Sequence, residues 1–223
     1  MRRKTLMSWS SGKDSAWALF QLQQNPEITL VGIFCTVNKE YDRVAMHGVR
    51  VELLRQQADS IGLPLEIIEI PYPCSNAEYE KIMGQFVERA KKDNIVHFAF
   101  GDLFLEEVRA YREEKLKGSG INPIFPIWGI PTDKLSREMI SGGLKTVITC
   151  INPKQMPKEL IGREFDENFL DSLPETVDPC GENGEFHSFV FDGPMFNEKL
   201  EIVVGDIVHR DNFVFADVLP KNS

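Results

Sequence analysis

Apolar residues recur along the chain in two rhythms. Runs that are apolar at nearly every position, "KTLMSWS", "ITLVGIFCTV", "PLEIIEIP" and "IVHFAFGDL", predict short strands buried on both faces. Between them lie stretches with apolar positions three or four apart. "DSAWALFQLQQ", with Ala16, Leu19, Phe20 and Leu22, "VRVELLRQQADSIG", closed by Gly62, and "NAEYEKIMGQFVERAKKDN" predict helices. The resulting β-α-β-α-β-α-β alternation predicts a Rossmann-like α/β fold, a parallel sheet covered by helices. Ligands of such sheets sit at the carboxyl ends of the strands. Residues 8–15, the stretch from Phe34 to Thr36, and Gly101-Asp102 all fall at such ends.

Past residue 105 the texture changes. "EEVRAYREEKLKGSG" reads as a charged helix, and the Pro-rich, aromatic "INPIFPIWGIPTDKL" follows it. A helix from Thr132 to Ser141, a strand "KTVITCI", a helix around "DENFLDSLP" and late strands "HSFVFDG", "EIVVGDIV" and "FVFADVL" predict a second, smaller α/β unit. The expected organisation is a nucleotide-binding domain over 1–105 and a second domain over 106–223 that completes the acceptor site.

Composition narrows the function. With 223 residues and 42% hydrophobic content the chain can bury a sizeable core. A net charge of −9 speaks against a broad nucleic-acid or anionic-membrane surface, while leaving room for a small anionic ligand. Cys35, Cys74, Cys150 and Cys180 lie far apart, without the spacing of a structural zinc site. No apolar stretch approaches the ~18 residues of a membrane span, and the basic N-terminus has no apolar core of a signal peptide. The expected location is the cytoplasm, with reduced thiols.

Candidate chemistry begins at "SWSSGKDS", between the first strand and the first helix. Backbone N–H groups at such a turn, backed by a helix dipole, form an anion site. Ser10, Ser11 and Ser15 add hydroxyls, Gly12 permits close approach of the backbone, and Lys13 adds a positive charge. Asp14 would repel a phosphate unless a divalent cation or the helix N-terminus compensates, and a magnesium ion would resolve that conflict. A plain polar turn capping the helix is the alternative. A Walker A loop is excluded, because it needs a Gly where Met7 stands and a hydroxyl where Asp14 stands.

A second dense segment, "DPCGENGEFHSFVF", crowds two carboxylates, an amide, a thiol and an imidazole around two glycines. Glu182 and Glu185 are candidates for a cation site or a general base, with Glu185 favoured. A solvated turn is the plainer reading. Cys180 reads more readily as a packing or turn residue than as a nucleophile. Asp102 stands at a strand end or caps the next helix, and His47 in "MHG" lines the nucleotide pocket or simply packs.

The loop is similar to the PP-loop, SGGxDS, of ATP pyrophosphatases, with Ser11 in place of the second Gly. Taken in order, "SWSSGKDS", "MHGV", "LLRQQADSIGLPL", "FGDL", "FPIWGIPTDKL" and "LIGREFDENFLDSLPETVDPCGENGEFHSFVFDGP" resemble the diphthine–ammonia ligase family nearly end to end. The "MHGV" and "SWSSGKDS" forms look closer to its bacterial-type branch, whose acceptor is open. The resemblance implies a PP-loop domain of the adenine nucleotide alpha hydrolase-like class, with ATP and Mg2+ as cofactors. It implies an AMP-forming ligase that adenylates a carboxylate, that of diphthine on elongation factor 2 or a related acceptor, and displaces AMP with ammonia. In that reading Ser10, Ser11, Gly12, Lys13, Asp14, Ser15, His47 and Asp102 bind ATP, and Asp14 also holds magnesium. Lys13, Glu182 and Glu185 are catalytic, and Cys180, Gly181, Asn183, Gly184 and His187 meet the substrate. A tRNA-modifying pyrophosphatase would share the loop, and a non-catalytic ATP sensor would not need residues 178–191 near it.

Overall fold

The computed structural model describes residues 2–44, 48–210 and 212–221. Strand β1 (Arg3–Ser8) leads through the phosphate-type loop into α1 (Lys13–Gln23). Then follow β2 (Ile28–Asn38), a two-residue β3 (Arg43–Val44), α2 (Val51–Ile61), β4 (Leu65–Ile70), α3 (Asn76–Lys92) and β5 (His97–Ala99). Gly62 ends α2 in the left-handed conformation that its missing Cβ allows. Ser75 and Glu78 start α3 with a reciprocal capping box.

β1 runs parallel to both β2 and β5, and β4 parallel to β2 on its other edge. The chain thus winds outward from β1 to β2 and β4, then crosses to β5. The reversal of winding between β1 and β5 creates the crevice where open α/β sheets bind ligands. Ser10 and Gly101 stand just past the ends of these two strands.

The charged helix α4 (Glu106–Leu116) leads to β6 (Asn122–Ile124), which pairs parallel with β5. The first sheet therefore continues past residue 105, where the change in texture suggested a boundary. Sheet membership changes only after Ile124. Three residues containing a proline carry no strand periodicity, so β6 was illegible in the sequence, as was β3.

The remainder comprises α5 (Thr132–Ser141), β7 (Lys145–Ile151), a 3-10 turn, α6 (Glu167–Asp171), β8 (Phe186–Asp192), β9 (Ile202–Arg210) and β10 (Phe213–Pro220). These strands form an antiparallel sheet in the order β8-β7-β10-β9. One continuous core joins the two sheets: Met7, Trp17 and Ile33 share a cluster with Leu135, Phe189 and Val218. A second cluster, centred on Phe34, Phe86 and Phe98, lies under α3, and a third, around Phe165, Phe169 and Phe186, fills the space behind β8.

Candidate active site

Ser11 adopts φ 69°, the left-handed region that glycine occupies without cost, so the serine here keeps the loop's backbone path at an expense in strain. Gly12 is the extended N-cap of α1. The Ser10 and Ser15 hydroxyls share a hydrogen bond of 3.0 Å, and the Ser15 hydroxyl donates to the Gly12 carbonyl at 3.0 Å, which closes the loop on itself. Gly101 is required beside it, because a Cβ there would lie 2.8 Å from backbone atoms of Asp14 and Ser15.

The loop is also fastened from the second half of the chain. The Ser188 hydroxyl accepts from the Lys13 N–H at 3.3 Å, and the Val190 N–H donates to the Ser11 carbonyl at 2.9 Å. Gln57, fully buried on α2, accepts from the Trp9 indole at 2.9 Å and donates to the carbonyls of Ser11 and Val190 at 3.2 and 2.6 Å. One amide thereby ties the end of β1, the loop and β8 together, and its hydrogen-bonding capacity is well used.

Lys13 is buried, and its ammonium pairs with Asp14 Oδ2 at 2.9 Å while facing the Phe186 ring, 5.1 Å from its centre. Burial alone would depress this amine, but Asp14, with Cys180 and Glu182 behind it, outweighs burial and holds it above its ordinary value. Burial pushes the Asp14 carboxyl up, against the pull of Lys13. Asp14 Oδ1 and the Ser11 hydroxyl are buried without a hydrogen-bond partner among the described residues.

The 178–185 turn is organised by Asp178, whose role no local spacing in the sequence reveals. Asp178 Oδ1 accepts from the N–H groups of Cys180 and Glu182 at 2.9 and 3.2 Å, and its Oδ2 accepts from the Thr132 hydroxyl at 2.6 Å. Gly181 and Gly184 take φ 70° and 82°. A Cβ on Gly181 would collide with the Phe186 ring at 2.8 Å, so both backbone conformation and space demand glycine there.

This turn separates the two glutamates. Glu182 lines the cavity above the loop, and the Leu103 N–H donates to its Oε1 at 2.8 Å. Burial pushes its carboxyl up to about 7; the Leu103 hydrogen bond opposes this and the Asp14 carboxylate reinforces it. Glu185, the favoured base in the sequence, points back into its own turn instead. Its Oε1 accepts from Asp178 N–H and the Asn183 amide, both at 3.0 Å, and it does not line the cavity. The buried Oε2 has no hydrogen-bond partner among the described residues.

A cavity of about 230 Å3 brings together Ser10, Lys13, Asp14, Ser15, Asp102 and Glu182, with Gly181, Gly184 and His187 on its far wall. Burial, followed by Lys13, lowers His187 to about 4, so it is neutral at physiological pH. Asp102 does not cap a helix, since α4 begins at Glu106; its carboxylate accepts from Arg112 Nε at 3.3 Å. Cys180 is buried outside the cavity with its thiol on the Thr132 carbonyl, and burial raises its pKa, which suits packing rather than nucleophilic attack. Asn183 serves Glu185, and His47 lies outside the described residues. Trp128 packs on Phe125 and Arg109, away from the cavity.

A larger cavity of about 640 Å3 adjoins the first, and Ser8, Ser10, Phe100 and Arg112 line both. One side is formed by the ends of β1 and β2 with Trp9, the other by facing residues of α3 and α4. On the β1 side of β2 the β1 ladder stops at Phe34 and the β3 ladder starts at Val37, so the edge of Cys35 and Thr36 opposite β4 has no strand beside it.

Magnesium is commonly held by one or two carboxylates plus substrate phosphates. The unpartnered Asp14 Oδ1 fits that use. Among the described residues no cluster of three or more His, Cys, Asp or Glu side chains forms a self-sufficient metal cage, and no helix is long and apolar enough to cross a membrane.

A family model described as "Diphthamide synthase N-terminal domain" matches residues 3–123, and one described as "Diphthamide synthase C-terminal domain" matches residues 131–218. The human protein named "Diphthine--ammonia ligase" is 25% identical over 230 residues, covering 94% of this chain and 86% of its own length. The mouse protein of that name is 24% identical with the same coverage. The Schizosaccharomyces pombe protein is 21% identical, and there the match covers 38% of the relative. Matching in both halves, with the Ser10–Ser15 loop in one and the Asp178–Phe186 turn in the other, the chain belongs to the diphthamide synthase family.

Proposed function

We propose that this protein is an ATP-dependent, AMP-forming ligase that joins ammonia to a carboxylate, with the diphthine of elongation factor 2 or a related acceptor as substrate. The observation that carries this reading is the position of Glu182, a carboxyl held near pH 7, across a small cavity from the PP-type loop. A nucleotide sensor has no use for a proton-exchanging group at that place. The sheet reversal between β1 and β5 seats the nucleotide. The adenine base fits against the unpaired backbone edge of Cys35 and Thr36, and the β- and γ-phosphates fit the 230 Å3 cavity over the loop and the α1 N-terminus.

Lys13 supplies a buried positive charge where negative charge grows on the leaving pyrophosphate. Its Asp14 partner and the Phe186 ring hold the ammonium in place, so little reorganisation accompanies the reaction. An acceptor carboxylate oxygen forms a bond to the α-phosphorus as the bond to pyrophosphate breaks. Ammonia then attacks the acyl adenylate, AMP leaves, and Glu182 takes the proton the amine gives up. Asp14, through its unpartnered Oδ1, would hold magnesium, which would add charge neutralisation when bound.

The test is ATP turnover with magnesium, ammonium and diphthine-bearing elongation factor 2, resolving AMP plus pyrophosphate from ADP plus phosphate. AMP and pyrophosphate formed together with amidated factor support the reading, and ADP formation refutes it. AMP formed independently of the factor retains the ligase chemistry and rejects that acceptor.

A further inference from the structure

The larger cavity exceeds the part that the strand ends define. Beyond Phe98 and Phe100 it opens between α3 and α4, where Tyr79, Met83, Gly84 and Val87 face Tyr111 and Lys115. Lys115 reaches across to Glu80 at 2.6 Å and ties the two helices together. Two features of this gap are unusual. Gly84 sits in the interior of a 17-residue helix, where glycine is a poorer helix former than alanine. A Cβ built on it meets no atom within 4 Å, so neither packing nor a left-handed backbone calls for glycine. Arg112, at the junction of the two cavities, stacks on Phe100 at 4.6 Å and makes a single 3.3 Å contact to Asp102 through Nε. Among the described residues its two Nη groups carry no hydrogen bond.

Resting on the ligase reading above, we infer that the gap between α3 and α4 is the seat of the acceptor, a side chain ending in a carboxylate, with Gly84 keeping it open and the Arg112 Nη groups receiving the carboxylate. The reason is stereochemical. In an in-line displacement the entering oxygen and the departing pyrophosphate lie on opposite sides of the phosphorus. Pyrophosphate over the loop occupies the 230 Å3 cavity, so the acceptor enters from the 640 Å3 side. The nucleoside takes the strand half of that space, between Trp9 and Thr36, and the helix half remains. Its walls, Tyr79, Met83, Val87 and Tyr111, suit the apolar stem of a long side chain, and the guanidinium at the inner end suits its carboxylate.

Gly84→Leu tests this, because leucine is a good helix former and the space above Gly84 is free. Gly84→Ala serves as the control, with a raised melting temperature showing that the helix tolerates a side chain. The assay uses diphthine-bearing elongation factor 2 with saturating ATP, magnesium and ammonium, and measures ATP affinity separately by calorimetry. The expected result for Gly84→Leu is a KM for the factor raised at least about tenfold, with the ATP Kd within about twofold of wild type. A rise in the ATP Kd of similar size would place the nucleoside in the helix half and overturn the inference. Unchanged values for both would also overturn it. Wild-type protein that binds ATP but forms no AMP with this factor would refute the ligase reading for that acceptor, and the inference with it. Active wild type with an indifferent variant refutes the inference alone.

Discussion

Glu182→Gln separates the chemistry of this site from its architecture, because glutamine keeps the oxygen that accepts from Leu103 and removes the proton exchange. In the folded protein the Glu182 carboxyl titrates at about 7 rather than at its ordinary 4.5. Between those values the folded chain holds a proton that the unfolded chain has released, so stability falls as pH rises. The contribution is fully present below pH 4.5 and is gone above pH 7. At about 1.4 kcal/mol per tenfold change, the interval corresponds to about 3 kcal/mol, and the partial exposure of the side chain reduces this to about 2 kcal/mol. Urea unfolding of both proteins at pH 5, 6, 7 and 8 measures it. Glu182→Gln should gain about 2 kcal/mol on wild type across that range, while all other titrations cancel in the difference. A difference constant within about 0.5 kcal/mol would show that Glu182 is an ordinary carboxylate at neutral pH, and the base assignment would fall. In single-turnover assays the same variant should still form AMP-acceptor while the ammonia step slows about 100-fold.

Lys13→Ala should lower AMP formation about 100-fold or more and relieve nothing at Asp14, which is left buried without its cation; normal turnover would refute the loop assignment. Ser11→Gly should keep turnover and raise stability by about 0.5 kcal/mol, the difference between an αL cost of about 1–2 kcal/mol and glycine's extra entropy of about 0.5–1 kcal/mol; a loss above about 1 kcal/mol in urea melts would contradict the strain argument. Gly101→Ala pushes on the backbone of Asp14 and Ser15, and should cost about 1–3 kcal/mol and weaken ATP binding; calorimetry showing wild-type affinity would mean the loop yields freely. Cys180→Ser should leave the amide-forming rate within about threefold of wild type, since a thiol whose pKa burial has raised is a poor nucleophile; abolished turnover in a folded variant would restore it as a catalytic group.

Much of the first sheet was legible because parallel strands buried on both faces leave continuous apolar runs, and α2 and α3 carry their end signals, Gly62 and Ser75, in the sequence. The turn from Ser10 to Ser15 stood out for the same kind of reason: its hydroxyls, glycine and charges lie next to each other in sequence, and its closing hydrogen bonds are local. The acidic turn was recognisable as dense but its wiring was not. Whether Glu182 or Glu185 faces Lys13 depends on two left-handed glycines and on hydrogen bonds to Asp178 and Thr132, and nothing in local spacing encodes the last of these. Gln57 and Arg112 were missed for a related reason. Each looks like an ordinary polar position on a helix, and only tertiary placement puts one at 0% exposure and the other at the meeting of two cavities.

The hydrogen bond from Lys13 to Ser188 spans 175 residues of sequence, and this sets a timetable for the newly made chain. At about 5–20 residues per second of synthesis, roughly ten to thirty seconds separate the emergence of the Ser10–Ser15 loop from that of the strand that fastens it. During that interval the apolar face of the first sheet waits for Phe189, Val190 and Val218 to cover it, and the Ser11 carbonyl has Gln57 but not yet the Val190 N–H as a donor. Ribosome-bound chains halted before β8 should remain protease-sensitive with or without ATP, whereas chains extended beyond β10 should become resistant, and the nucleotide should then add to that resistance.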